Sequence, residues 1–248
     1  MKRIVALTLA GILAIGIQSP IQASTVQQVK NEILAMQPGV SAEELQKQVE
    51  ELVLTTGMNE DEIYEQMYKE MEEQNHLAEE EMKQLAEQIV GTDDASLHGG
   101  GTANYIVGPS ARGDFYYTPS ATAYINHGHV GLYYSSNTIV ESIYPSGVRS
   151  ISANVRTVDK GAVVKSISTT STNKTNATNW AWTQIGQPYS LNFANNRNTG
   201  HTGAKNCSKL IWSAFKLHGS LDLDVDKGFG VYPRDVRDAA ETRFIRQI

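Results

Sequence analysis

The chain changes its hydrophobic pattern about one third of the way along. Between residues 24 and 90, apolar residues recur three or four positions apart, which is the spacing of an amphipathic helix. Three stripes follow this spacing: Val29, Ile33 and Met36; Leu45, Val49 and Leu52; and Ile63, Met67 and Met71, continued by Met82, Leu85 and Ile89. The pattern predicts an acidic, all-α segment of three helices whose charged faces are solvated. The third helix has a weaker middle, between Gln74 and Glu81.

Local signals place the ends of these helices. The Pro38-Gly39 pair ends the first helix. Ser41, followed three residues later by Glu44, forms a capping box that opens the second, and Gly57 closes it. Asn59 opens the third.

A different pattern begins after residue 104. Residues 91–104 show no periodicity and include three consecutive glycines, so they are predicted to be a flexible linker and a domain boundary. Runs rich in β-branched and aromatic residues then predict an antiparallel meander. These runs are 114–117, 129–134, 138–143, 147–152 and 162–168, and two helices are expected, one beginning in the second half of 168–179 and ending at Gly186, the other at 206–217. We therefore expect an α+β domain over 105–248, with an antiparallel sheet and packed helices, preceded by the all-α segment of 24–90.

Composition and charge limit the function classes. A chain of 248 residues with 40% hydrophobic residues is long enough for one or two packed domains. Residues 24–90 hold 16 acidic and 4 basic residues, a net charge of −12, whereas residues 91–248 hold 11 acidic and 15 basic residues, a net charge of +4. The bases of the second part are scattered, so no nucleic-acid partner is expected. A single cysteine excludes an internal disulfide framework and a Cys-rich zinc module.

The amino terminus has the features of a signal peptide. Lys2 and Arg3 precede an apolar run, 4–17, that is shorter than the roughly 20 residues needed to span a membrane. We expect cleavage before Ser24, which removes residues 1–23; an uncleaved anchor is the alternative. No second long apolar run follows, so we expect no membrane span after cleavage and a secreted bacterial protein, with cell-wall association as one location.

Cys207 is the candidate nucleophile. It follows Asn206, a good N-cap, so it is expected in the first turn of a helix, where the positive end of the helix favours a thiolate and free N–H groups can bind an oxyanion. His127 and His129 are the candidate bases. If the 135–137 loop has three residues, Glu141 is the diagonal neighbour of His129 on one sheet face, whereas a one-residue shift would separate them.

Ordered sequence blocks in the second part resemble a known family. The blocks are Gly113-Asp114-Phe115, Gly128-His129-Val130-Gly131-Leu132-Tyr133, Val140-Glu141-Ser142 with Gly147-Val148, Gly186-Gln187-Pro188-Tyr189, Asn206-Cys207-Ser208-Lys209-Leu210-Ile211-Trp212, and Leu221-Asp222-Leu223-Asp224 with Val231-Tyr232-Pro233. In this order, over roughly residues 105–240, they resemble the circularly permuted papain-like cysteine hydrolases of the NlpC type, the YiiX/YebB-like group. The resemblance implies a permuted papain-like fold.

The resemblance also implies roles for individual residues. Cys207 is then the nucleophile, His129 the base and Glu141 the third member of a triad. Tyr189 matches a tyrosine that the family places beside the oxyanion hole, although it could equally be a buried ring after Pro188. Tyr189 and Asn206 are the two accessory residues expected beside the triad. The implied function is a secreted cysteine hydrolase cleaving amide bonds, with peptidoglycan stem peptides favoured as substrate. The alternatives are a lipid acyltransferase or thioesterase of related fold, and a non-catalytic wall-binding or interaction module.

No cofactor and no metal are expected from the sequence. Asp222, Asp224 and Asp226 alternate as in a calcium loop, but Lys227 and Pro233 stand where an EF-hand needs Gly and Glu. The histidines at 127, 129 and 201 have no metal-ligand spacing.

The charge asymmetry supports one further hypothesis. A segment of net −12 tethered to a domain of net +4 can dock on it and lower its activity. A solvated spacer, or a bundle that binds a partner or self-associates, is the competing interpretation.

Overall fold

The computed structural model describes residues 25–90, 105–119 and 127–248, and within them the fold is α+β. The helices are α1 (Val26–Met36), α2 (Ala42–Thr56), α3 (Glu60–Val90), α4 (Ser171–Thr183), α5 (Cys207–Gly219) and α6 (Pro233–Asp238). The strands are β1 (Tyr105–Ile106), β2 (Asp114–Thr118), β3 (His129–Ser135), β4 (Thr138–Ile143), β5 (Gly147–Ser152), β6 (Thr157–Val158), β7 (Val163–Ile167) and β8 (Thr242–Gln247). The expected signal peptide (1–23) and linker (91–104) lie outside the described residues. None of the helices described is long and apolar enough to span a bilayer.

The three helices of the acidic segment form where the apolar stripes predict them. In the capping box of α2, the Ser41 N–H donates to Glu44 at 2.9 Å, and the Glu44 N–H donates to the Ser41 hydroxyl at 3.1 Å. Gly57 ends α2 in the left-handed region, with φ of 75°, a conformation that favours glycine. Most of the predicted stripe residues are buried, but Met82 is 44% exposed and Leu85 is half-buried, so the α3 stripe is less buried towards its end.

A six-stranded antiparallel sheet forms the centre of the second part. Its strand order is β5-β4-β3-β2-β7-β8, and β1 pairs separately with β6. The meander of β2 to β5 is confirmed, whereas the edge strand β8 and helix α6 were not expected from the sequence. Helix α4 begins at Ser171, earlier than predicted, because Thr170 caps it.

One sheet face carries the main core. Phe115, Val130, Leu132 and Val140 from the sheet pack against α4 and α5, and Leu210 of α5 is completely buried among them. The start of α5 is therefore held directly against the strands β3 and β4.

The acidic segment packs on the second part through one shared hydrophobic cluster. Its apolar faces meet Phe193, Ala194, Phe229 and Tyr232. Polar contacts surround this cluster. Some of them come from the weakly apolar middle of α3, and these contacts explain why that part of the helix is polar.

Gln37, Glu70 and Glu81 of the acidic segment make several of these polar contacts. The Gln37 side-chain oxygen, Oε1, accepts hydrogen bonds from the backbone N–H groups of Phe193 and Ala194 at 2.9 and 3.1 Å. Glu70 accepts two backbone N–H groups, those of residues 229 and 230. Glu81 forms ion pairs with two arginines, at positions 234 and 237. The expectation that the acidic faces are solvated is therefore wrong for Glu70 and Glu81.

Candidate active site

Cys207 is the first residue of α5, as the sequence predicts. The side chain of Asn206 caps the helix by accepting the Lys209 N–H at 2.9 Å. The first N–H groups of a helix have no intrahelical acceptor, and together with the helix dipole they favour negative charge at this position. The end of α5 can therefore stabilise both a thiolate and an oxyanion formed next to it.

The β3–β4 hairpin places His129 and Glu141 on one sheet face. Leu132 lies opposite Val140, which is the register expected from the sequence. The turn differs from expectation: Ser135 pairs with Thr138, and a β-bulge at Tyr134 takes up the extra residue. The bulge preserves the register upstream of it.

As a result, His129 Nε2 lies 2.9 Å from Glu141 Oε2, and both side chains are buried. The imidazole is thus held from one side, and its Nδ1 remains for a second partner.

Glu141 is fixed by three further side chains that the sequence did not identify. Arg149 donates to Oε1 at 2.7 and 3.0 Å, while Arg156, at 2.8 Å, and the Tyr116 hydroxyl donate to Oε2. Burial alone would raise the pKa of Glu141, but the contacts with His129, Arg156 and Tyr116 hold it well below its usual range. Because Arg149 lies directly opposite Glu141 in the β4–β5 ladder, cross-strand pairing could have found it.

His129 also interacts with Cys207. Burial by itself lowers the pKa of His129, but the charge of the Cys207 thiolate and the hydrogen bonds to Cys207 and Glu141 raise it to about 9. The structure therefore brings Cys207, His129 and Glu141 together in one buried chain of contacts.

His127 lies elsewhere. Its ring is 4.0 Å from that of Phe193 and 5.7 Å from that of Tyr232, centroid to centroid. Neither ring nitrogen has a hydrogen-bond partner among the described residues. Burial and the charge of Arg234 hold the pKa of His127 well below its usual range, so the ring is neutral.

The two accessory residues differ in what they offer. The Tyr189 hydroxyl is buried without a hydrogen-bond partner among the described residues, and burial and the charge of Cys207 raise its pKa. It is therefore a free buried donor within electrostatic range of the thiol. The Asn206 amide already donates to the Asn192 carbonyl at 3.1 Å, and its oxygen caps α5, so this side chain positions the helix instead.

The thiol is closed off in this structure. Cys207 is 0% exposed and His129 is 2% exposed, so a substrate reaches them only after part of the surrounding structure moves.

Potential metal ligands were also located. The histidines at 127, 129 and 201 do not converge: His201 bonds Ser213 at 3.0 Å and stacks on Trp212. Within the described ranges, only Asp224, Asp226 and Asp235 bring three potential ligands together.

Comparisons with known proteins identify one clear relative. No family model matches the chain. The uncharacterized protein YycO of Bacillus subtilis (strain 168) is 41% identical over 245 residues, which cover 99% of this chain and 96% of the relative. The crystal structure of the metalloprotein yiiX from Escherichia coli O157:H7 aligns at a TM-score of 0.43 and 12% identity, covering 56% of this chain and 98% of that one.

Proposed function

The chain belongs to the same family as the uncharacterized protein YycO of Bacillus subtilis, and we propose that it is a cysteine hydrolase that cleaves amide bonds. The observation that carries this proposal is the position of His129, which bonds Glu141 at 2.9 Å and interacts with Cys207 at the start of α5. A thiol nucleophile needs a base and a group that orients the base, and these contacts supply both. The histidine precedes the cysteine in the chain, which fits a permuted papain-like arrangement.

The proposed reaction proceeds in two stages. His129 takes the Cys207 proton, and the thiolate attacks the carbonyl carbon of the substrate. N–H groups at the start of α5 bind the oxyanion, with the Tyr189 hydroxyl as a further donor. The C–N bond then breaks, and His129 gives its proton to the leaving amine. Water, deprotonated by His129, attacks the thioester and releases the acid and the free thiol.

Peptidoglycan stem peptides are the favoured substrates. This choice rests on the expected export of the protein and on its sequence resemblance to the NlpC-type hydrolases. A secreted enzyme associated with the wall would meet these peptides outside the cell.

Digestion of purified cell wall tests the proposal. The protein should release fragments with new amino termini, detected by mass spectrometry, and Cys207→Ala should release none above background. Turnover of lipid esters or acyl thioesters with an intact wall would favour an acyltransferase or thioesterase. Binding to the wall by both proteins with no turnover of any substrate would favour a non-catalytic module.

A further inference from the structure

A compact group of carboxylates lies where α3 meets the loop between α5 and α6. Asp224 and Asp226 belong to this loop, and Asp235 lies in the first turn of α6. One carboxylate oxygen from each lies within 4.8 Å of the others. Asp224 and Asp235 are buried, whereas Asp226 is exposed at the edge of the group.

Negative charge in this group is only partly compensated. Asp224 pairs with Arg197, but Asp226 and Asp235 form no ion pair among the described residues. Their hydrogen bonds come from the backbone instead: Asp226 accepts the Gly228 N–H at 2.9 Å and Asp235 accepts the Tyr232 N–H at 2.7 Å. A divalent cation would therefore match the local charge.

A buried amide on α3 points independently to a ligand. The Gln74 amide nitrogen donates to Asp235 at 3.2 Å, which places the carboxamide against the group. Gln74 is only 4% exposed, yet its oxygen Oε1 has no donor among the described residues. A buried carbonyl oxygen without a donor is costly, and it is also a ligand that hard cations accept.

We propose that Asp224, Asp226, Asp235 and the Gln74 carboxamide form a calcium site. All four ligands are oxygens, which suit a hard cation and not a zinc or copper ion. The ligands come from a loop and two helices in an irregular arrangement, which calcium accepts more readily than magnesium with its strict octahedral geometry.

This site departs from the sequence expectation that the protein binds no metal. In the sequence, Asp222 alternates with Asp224 and Asp226 as in a calcium loop. In the structure, however, Asp222 forms ion pairs with Arg197 at 2.6 Å and with Lys216 at 3.0 Å. The third carboxylate is Asp235, which only the tertiary fold brings close.

A bound ion would link the acidic segment to the catalytic part, because Gln74 belongs to α3 and the three carboxylates belong to the second part of the chain. It would also support the start of α5. The Ser208 hydroxyl, next to Cys207, donates to the Val231 carbonyl at 2.7 Å, on the chain between Asp226 and Asp235.

Thermal unfolding and calorimetry test the site without relying on activity. After treatment with a chelator, the protein is titrated with calcium chloride, and sodium chloride of equal ionic strength is the reference. We expect one ion per chain and a rise in Tm of about 5 °C once free calcium exceeds Kd about a hundredfold. Asp226→Asn, at an exposed position, should weaken calcium binding at least tenfold, and Gln74→Met should weaken it by a smaller factor.

Asp238→Asn is the matched control, since it removes the same charge from an exposed carboxylate outside the group. It should keep the full calcium response. The proposal is overturned if calcium gives neither heat nor a Tm shift up to 10 mM, which is about tenfold above the Kd of the weakest extracellular calcium modules, about 10⁻³ M. Equal responses of wild type, Asp226→Asn and Asp238→Asn would also overturn it, because they would show diffuse screening of an acidic chain.

Discussion

Glu141 reaches His129 across the β3–β4 hairpin, with 2.9 Å between Oε2 and Nε2. The carboxylate is itself held by Arg149 and Arg156 from neighbouring chain segments. The imidazole is consequently fixed in orientation, and only its other nitrogen is available to the Cys207 thiol. In this arrangement Glu141 acts as the positioning residue for the base, and it stays ionised while the base changes its charge.

The contacts of the two histidines predict opposite effects of their removal. His129→Ala should reduce kcat/KM by about 10² to 10⁴, the usual contribution of a general base. His127→Leu should leave activity within a few-fold of wild type, because His127 packs against Phe193 and Tyr232 and its ring nitrogens bond no described residue. Steady-state kinetics on the substrate found in the cell-wall digestion checks this, and a reversed order of effects would identify His127 as the base.

The pKa of His129 predicts where activity declines at high pH. The reactive form is the thiolate–imidazolium pair, so activity is lost as His129 loses its proton. With a pKa of about 9, the alkaline limb of the kcat/KM profile should lie near pH 9. Glu141→Gln removes one of the interactions that raise this pKa, so its alkaline limb should move to lower pH. An alkaline limb that does not move would mean that Glu141 has no influence on the base.

Glu141 should also stabilise the fold in a pH-dependent way. Its pKa lies below that of the unfolded chain, so its contribution is present above the ordinary value of 4.5 and is lost as the pH falls below it. At pH 7, Glu141→Gln should lower the free energy of unfolding by about 3 kcal/mol, because it leaves the largely buried Arg156 without its carboxylate. The difference from wild type should narrow below about pH 4.

Urea unfolding at several pH values measures this difference. Glu65→Gln, a charge-matched change at an exposed position of α3, should alter stability by less than about 0.5 kcal/mol at every pH. A pH-independent loss in Glu141→Gln would show that packing, and not charge, makes Glu141 important.

The part of the site that depends on local sequence rules was predictable. The cap at Asn206 places Cys207 at a helix start, and strand alternation places His129 and Glu141 on one face. Of the two registers that the sequence left open, the structure has the one expected for a three-residue loop, although the turn itself is shorter, because a bulge takes up one residue without shifting the strands upstream.

Contacts between distant segments were not predictable in the same way. Arg156 reaches Glu141 from beyond β5, and no periodicity relates the two positions. The polar middle of α3 looked like a weak helix because its partners, such as Asp235 for Gln74, lie more than 150 residues away. The closure of the thiol likewise depends on tertiary packing, which a single sequence does not encode in any local pattern.

The packing of the acidic segment leads to a prediction about access to the thiol. The side chain of Gln37, just after α1, accepts hydrogen bonds from the N–H groups of Phe193 and Ala194. This loop follows Tyr189, whose hydroxyl is influenced by the charge of Cys207. We expect the segment to hold the site closed and to lower activity until it is displaced. Each of the two lost hydrogen bonds is worth about 1 kcal/mol, so Gln37→Leu should raise the iodoacetamide alkylation rate of Cys207 about thirtyfold.

Gln27→Leu provides the control, since Gln27 is exposed on the same helix and bonds only Asn31. It should leave the alkylation rate unchanged. Added salt should raise the rate of wild type modestly, because the ion pairs of Glu81 with Arg234 and Arg237 are partly accessible to solvent and are screened. If Gln37→Leu releases the loop that follows Tyr189, the rate of substrate hydrolysis should rise together with the rate of Cys207 alkylation. Equal alkylation rates in the two variants at every ionic strength would instead indicate that the acidic segment serves as a spacer or an oligomerisation element.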